Sequence, residues 1–368
     1  MLKKFASFDY ILALIPIILS ALSVAVIYSL VFSSADTVLA LKQGIFAAIG
    51  IVAMISIFFI NYKNLRSAWW FIYIIAVILL IVVEIFGFAA GGAVRWIDLG
   101  FFQLQPSEIA KVAVVIALAS ILSKKTGRLS IKEYIWSVII VTIPTILILL
   151  EPDLGTALVI VFISFVQVLF ARPNRKQVLI IFAVIFLILL VFLLSFYKIA
   201  PFSNLMHDYQ RNRVHTFIDP NLDPYGTGYN VRQAQITIGS GGVFGAGLGR
   251  GSQSQLKFLP KPHTDFIFAG SAEAMGFVGA SFIVLLYFYL IFRIYYQSAK
   301  CSDSFGMLIG VGIGSIILFQ TVVNIGMNLG IMPVTGIPLP FLSSGGTSLL
   351  IMFAAIGIVL SLGQRKTR

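Results

Sequence analysis

Charged side chains are scarce in this chain: Asp, Glu, Lys and Arg make up only 11% of its 368 residues. A soluble domain carries roughly 25%, so no stretch reads as one. Cysteine is nearly absent, and the lone Cys301 excludes an intrachain disulfide and any cysteine-based metal spacing. Three histidines argue further against a structural zinc site. A cleavable leader is also missing from the reading. The first apolar run is too long for one and has no small-residue cleavage site, so it is expected to stay as a helix.

What the chain has is apolar residues. They form 59% of it, and its mean hydropathy is +1.00. Runs of about 17–25 apolar residues suffice to cross a bilayer as helix. They are placed at roughly 10–32, 42–60, 69–90, 107–123, 134–150, 156–171, 177–197, 265–292, 305–328 and 345–362. The expected fold is all-α, a polytopic integral membrane protein of about ten transmembrane helices. Residues 1–368 are read as one transmembrane domain, with one long extracytoplasmic loop at 199–264.

The formal net charge of +12 does not signal nucleic acid. With a cytoplasmic N-terminus and alternating spans, most Lys and Arg fall in inside loops. Examples are Lys63, Arg66, Lys124, Lys125, Arg128 and Lys132. Short outer connections carry almost none, so both termini are expected to face the cytoplasm.

Three outer-side segments interrupt the pattern of short basic connections: 91–111, 151–157, and the long loop with the later proline-rich stretch at 330–348. Their clustering points to one extracytoplasmic working face. No internal repeat is evident, which weakens an inverted-repeat transporter. The glycine-rich stretch "GSGGVFGAGLGRGSQSQ", 239–255, fits no dinucleotide fingerprint. Its glycines either permit tight turns or cradle phosphate through backbone N–H groups beside Arg250.

Several polar residues sit in or beside apolar runs and need a reason to be there. Glu108 and Lys111 share a helix face at i, i+3, as a structural ion pair or part of a site. Asp153 precedes "LGTA" and suits a helix N-cap. Glu84 reads as interfacial. Gln320, Asn324 and Asn328 form a stripe at every fourth position, either bonding neighbouring helices or lining a groove. Asp265 and Glu273 are separated by about 12 Å of rise and roughly 80° of rotation on a continuous helix. A retaining pair needs carboxyls about 5–5.5 Å apart, so the two act separately. Asp265, beside His263 and Thr264, is either an N-cap or a reactive group at the membrane lip; Glu273 reads as an internal strut.

Six stretches carry a family resemblance: "GAVRWIDLG" (92–100), "QPSEIAK" (105–111), "EPDLGTA" (151–157), "GYNVRQAQITIGSGG" (228–242), "SQSQLKFLPKPHTDFIFA" (252–269) and "PVTGIPLPFLSSGG" (333–346). With them the chain resembles the shape, elongation, division and sporulation (SEDS) family, on the RodA side more than the FtsW side. The resemblance implies a peptidoglycan glycosyltransferase polymerising lipid II at the outer face of the bacterial cytoplasmic membrane. It implies a class B penicillin-binding protein, a transpeptidase, as partner.

Carried over residue by residue, Asp265 would be the catalytic carboxylate. Arg95, Trp96, Glu108, Lys111 and Asp153 match positions important to the site, and Ser343 lies in the last matching stretch. Where the family reads "AEELG", this chain has Ala274 in place of the second glutamate, which puts any role of that carboxylate in doubt. Arg95, Lys111, Arg232 and Arg250 are candidates to meet the leaving diphosphate. No dedicated cofactor is legible, although a divalent cation (Mg or Mn) riding on the diphosphate is compatible. The rival readings are a flippase for the lipid-linked precursor, a division-type polymerase, and a scaffold that only activates its partner.

Overall fold

The computed structural model describes residues 8–32, 38–90, 93–100, 102–123, 130–171, 173, 175–199, 208–224, 226–256, 258, 259 and 262–363. Lys124, Lys125 and Arg128 of the charge argument lie outside the described residues, as do Lys3, Lys4, Arg172 and the basic residues from 364 onward. Ten long helices stand where the apolar runs placed them. They are α1 (Tyr10–Val31), α2 (Val38–Phe58), α3 (Lys63–Phe86), α4 (Pro106–Leu122), α5 (Ile131–Leu150), α6 (Leu154–Phe170), α7 (Arg175–Phe196), α11 (Ile267–Ala299), α12 (Ser304–Asn328) and α13 (Gly346–Leu362). Six of them, α1, α2, α3, α5, α11 and α12, are long and apolar enough to cross a membrane by length and composition. The chain is a multi-pass membrane protein.

The helices sort by burial. Helix α4 is buried along almost its whole length and packs against α3, α5, α6 and α12. Helix α3 instead turns Trp70, Phe71, Ile74, Ile78 and Ile85 outward. An apolar face of that size is compatible with lipid and not with water. Helices α2 and α13 pack closely. At Gly50 a Cβ would sit 2.4 Å from the Phe353 ring, so the approach needs a residue without a side chain. At the other end of α1, Asp9 caps the helix through Leu12 N–H (3.1 Å) and accepts from Arg293 Nε of α11 (2.8 Å).

The connections that the sequence reading placed on the outer side are more structured than a loop reading implies. Three short strands form an antiparallel sheet: β1 (Phe88–Ala90), β2 (Ala93–Asp98) and β3 (Gln103–Leu104). The long connection carries α8 (Asp208–Ile218), α9 (Thr227–Ser240) and the single turn α10 (Ser252–Gln255).

Helix α11 is not continuous. Gly276 has φ 68° and ψ −169°, which glycine alone adopts without strain, and a Cβ there would lie 2.3 Å from Gly245 N. The glycine-rich segment fills this break. Ala246 N–H donates to Glu273 O (2.9 Å), Gly247 N–H to Ala274 O (3.1 Å), and Phe277 N–H to Gly242 O (2.9 Å). Of the two readings of that segment, the structure favours turns: these N–H groups serve backbone carbonyls.

Candidate functional site

The site is built around residues 262–266, the short segment leading into α11. Four hydrogen bonds hold its backbone. His263 O accepts from Ser344 N–H (2.8 Å), and Thr264 O accepts from the Ser343 hydroxyl (2.7 Å). Asp265 O accepts from both Asn324 Nδ2 and Asn328 Nδ2 (3.1 Å each). The polar stripe of α12 therefore has a use: Asn324 and Asn328 fix the main chain beneath Asp265. Asn324 also donates to Ile337 O (2.8 Å), and Asn328 Oδ1 accepts from Ala269 N–H (3.1 Å).

The N-cap of α11 is Phe266, so neither Asp265 nor Thr264 holds that position. The Asp265 carboxylate is half-buried. Its Oδ2 lies 3.8 Å from where a Cβ of Gly336 would stand, against the proline-rich segment.

Beside this segment opens a cleft of about 370 Å³. Its walls include Lys42 and Gln43 of α2, Trp96 and Asp98 of β2, Gln103 of β3, and Thr264. Thr347 ties the walls together, donating to Gln103 O (2.7 Å) while accepting from Gln105 N–H (3.3 Å). Of the residues singled out from sequence, Trp96 lines the cleft, while His263, Asp265 and Ser343 are chain neighbours of its lining residues Thr264 and Ser344.

The others lie apart. Arg95, next to Trp96, turns to the α5–α6 corner. There it donates from Nε to Glu151 O (3.1 Å) and from Nη2 to Pro152 O, with Nη1 3.9 Å from Asp153 Oδ1. Asp153 caps α6 through Thr156 N–H (3.1 Å) and accepts from its hydroxyl (2.8 Å). Lys111 Nζ and Glu108 Oε1 pair at 2.7 Å inside α4, at 0% and 1% side-chain exposure. Arg232 donates to the Asn221 side chain, and Arg250 is exposed.

Glu273 is a strut, as its position suggested. It accepts from Gln253 N–H (2.8 Å), Ser254 N–H (3.1 Å) and the Ser254 hydroxyl, holding α10 against α11. Ala274 is buried beside the break. Sequence reasoning missed Lys42 and Gln43. They stand at the start of an apolar run and were absorbed into the span, although a Lys-Gln pair near a helix end was the available signal.

Glu151, in the connection between α5 and α6, is 1% exposed, and neither carboxylate oxygen has a hydrogen-bond partner. Burial, then the neighbouring Asp153 and Glu84, push its pKa from 4.5 up to about 8, with Arg95 opposing. An unfolded chain loses this proton first. The folded protein therefore binds the extra proton between about pH 4.5 and 8, and stability falls as pH rises through that window. Glu151→Gln is expected to match wild type near pH 5 and to unfold at a higher temperature near pH 9. Equal pH dependence of the two unfolding midpoints in detergent would refute this.

The comparisons with known proteins follow the same lines. The family model for the FtsW, RodA and SpoVE cell cycle proteins matches residues 5–368. The peptidoglycan glycosyltransferase MrdB of Escherichia coli K12 is 41% identical over 315 residues, covering 86% of this chain and 83% of the relative. A chain from a study of a peptidoglycan synthase complex that coordinates polymerization and crosslinking superposes with a TM-score of 0.79. It is 30% identical, with 98% of this chain and 99% of that chain covered. The crystal structure of the Thermus thermophilus rod shape determining protein RodA gives 0.71 at 28% identity, covering 98% of each chain. With nearly every residue inside the family match and the likeness extending from sequence to fold, the chain belongs to the FtsW/RodA/SpoVE family of cell cycle proteins.

Proposed function

We propose that this protein is a RodA-type peptidoglycan glycosyltransferase that polymerises lipid II, the undecaprenyl-diphosphate-linked disaccharide pentapeptide, during cell elongation. The observation that carries the reading is Asp265: a half-buried aspartate whose backbone is pinned by Asn324 and Asn328, next in the chain to Thr264, which lines a polar cleft. The donor sugar is α-linked to diphosphate and the polymer is β-linked, so a single in-line displacement with inversion is the simplest chemistry. The acceptor hydroxyl oxygen bonds to the anomeric carbon as its proton passes to Asp265. The sugar–phosphate bond breaks with its electron pair leaving on the diphosphate. One general base suffices for this, and a partly desolvated carboxylate suits the task.

A lipid tail needs an apolar route. A cavity of about 610 Å³ runs between α5 and α6 and reaches Phe319 of α12, lined by residues such as Val138, Thr142, Leu158 and Phe165. It offers a groove for a tail in an enzyme whose donor and acceptor are both anchored in lipid. Both termini lie in the cytoplasm on this reading, and the cleft opens on the outer face of the cytoplasmic membrane. A class B penicillin-binding transpeptidase is the partner.

Among the described residues no three His, Cys, Asp or Glu side chains converge as a metal site. A divalent cation (Mg or Mn) riding on the diphosphate would neutralise leaving-group charge. The test is purified protein in proteoliposomes with lipid II, with and without a transpeptidase-dead partner and with and without EDTA. Glycan strands are expected when the partner is present. Their absence in every arm, or lipid II crossing the bilayer without polymer, would overturn the reading in favour of a scaffold or a flippase.

A further inference from the structure

We propose that Lys42 anchors the substrate, its ammonium group binding a phosphate of the lipid-linked diphosphate in the cleft that Lys42 and Thr264, the chain neighbour of Asp265, both line. The inference rests on the glycosyltransferase reading and says how that site holds its charge. A diphosphate brought next to a carboxylate must be neutralised. Of the four cations named from sequence, three are committed elsewhere, Lys111 to Glu108, Arg95 to the carbonyls of Glu151 and Pro152 and Arg232 to Asn221, and the exposed Arg250 is not among the residues lining the cleft. Lys42 is the cation among the described residues lining the cleft. The one carboxylate in that lining, Asp98, already accepts from Gly100 N–H (2.7 Å).

Position matters as much as charge. The neighbouring Gln43 is 3% exposed and donates from Nε2 to the Ser23 hydroxyl (3.0 Å) and to Ser343 O (3.3 Å). Ser343 in turn holds Thr264 O. One short chain of bonds thus sets the outer turn of α2, and Lys42 with it, against the segment that carries Asp265. The side chain is exposed and long enough to follow a headgroup without disturbing the helix packing.

The experiment uses the full chain with its transpeptidase partner in proteoliposomes. Lys42→Ala is expected to raise KM for lipid II by roughly tenfold, the size of one lost charge-assisted contact, with kcat reduced about threefold at most. Lys42→Arg should stay within about threefold of wild type, since it keeps the charge. Inorganic pyrophosphate should inhibit wild type and lose about tenfold in potency against Lys42→Ala.

An unchanged KM together with unchanged pyrophosphate inhibition sinks the proposal. So does a KM shift that vanishes when phosphatidylglycerol is replaced by phosphatidylcholine, because Lys42 then attracts only anionic headgroups. Lys42→Gln serves as a second neutral variant if Lys42→Ala loses thermal stability. Binding of fluorescent lipid II to the Asp265→Asn protein separates the two readings. Lys42-dependent binding without wild-type polymerisation supports Lys42 and defeats the chemistry. Polymerisation with a Lys42-independent KM defeats Lys42 alone.

Discussion

Replacing Asp265 by asparagine is expected to lower kcat for lipid II polymerisation by about 10²–10⁴-fold, the range of a lost general base. The unfolding temperature is read alongside, to separate lost chemistry from lost structure. The expectation follows from how this residue is held. Its carbonyl makes the bonds to Asn324 and Asn328, and the change leaves both intact. The helix cap belongs to Phe266, so no cap is lost either. Asparagine keeps the shape and removes the proton acceptor. KM should move little, because the cleft walls are untouched.

Asp265→Glu is the sharper control. One added methylene displaces the carboxylate by more than 1 Å, and misplacement of that order costs about 10²-fold. Rates are read from glycan product with the transpeptidase-dead partner present. An asparagine variant that polymerises at the wild-type rate would leave the mechanism without its base.

The largest stability effect is expected at Lys111. Its ammonium and the Glu108 carboxylate meet at 2.7 Å with almost no exposure, and Glu108 Oε2 has no hydrogen-bond partner. Lys111→Met strands a charge inside the most buried helix. Breaking such a pair from one side costs about 3–5 kcal/mol, a large part of the roughly 5–15 kcal/mol that holds a typical protein folded. The variant should unfold far earlier in detergent than wild type.

The double change Glu108→Gln with Lys111→Met removes both charges and should recover most of that loss, since a buried pair is often matched by neutral groups of similar size. A double-mutant cycle measures the coupling. If the two single losses simply add, the pair does not act as a unit. Activity need not return with stability, which would separate a site role for these residues from a structural one.

Much of this was legible beforehand, and for local reasons. Apolar runs located all ten long helices, because a bilayer demands contiguous hydrophobic length. The i, i+3 spacing of Glu108 and Lys111 and the position of Asp153 before "LGTA" needed only helix geometry. Helices α8 and α9 of the long connection escaped notice because they are short and carry many polar residues, so hydropathy gives no contrast. The sheet at 88–104 escaped because its strands are two to six residues long.

Glu273 shows the boundary between the two sources of information. Its burial in an apolar helix marked it as a strut. Its partners at Gln253 and Ser254 became visible only once the break at Gly276 let the glycine-rich segment pack into α11.

By itself, then, the sequence determined a bundle of membrane helices, a polar face at one end and a carboxylate in "HTDF" worth attention. These properties depend on neighbours along the chain. The tertiary structure decided which polar groups share a cleft, because Lys42, Trp96, Thr264 and Gln103 come from separate elements and meet only through packing. It also decided that Arg95 and Lys111 look away from that cleft, since a buried cation goes to whichever carbonyl or carboxylate the fold sets beside it.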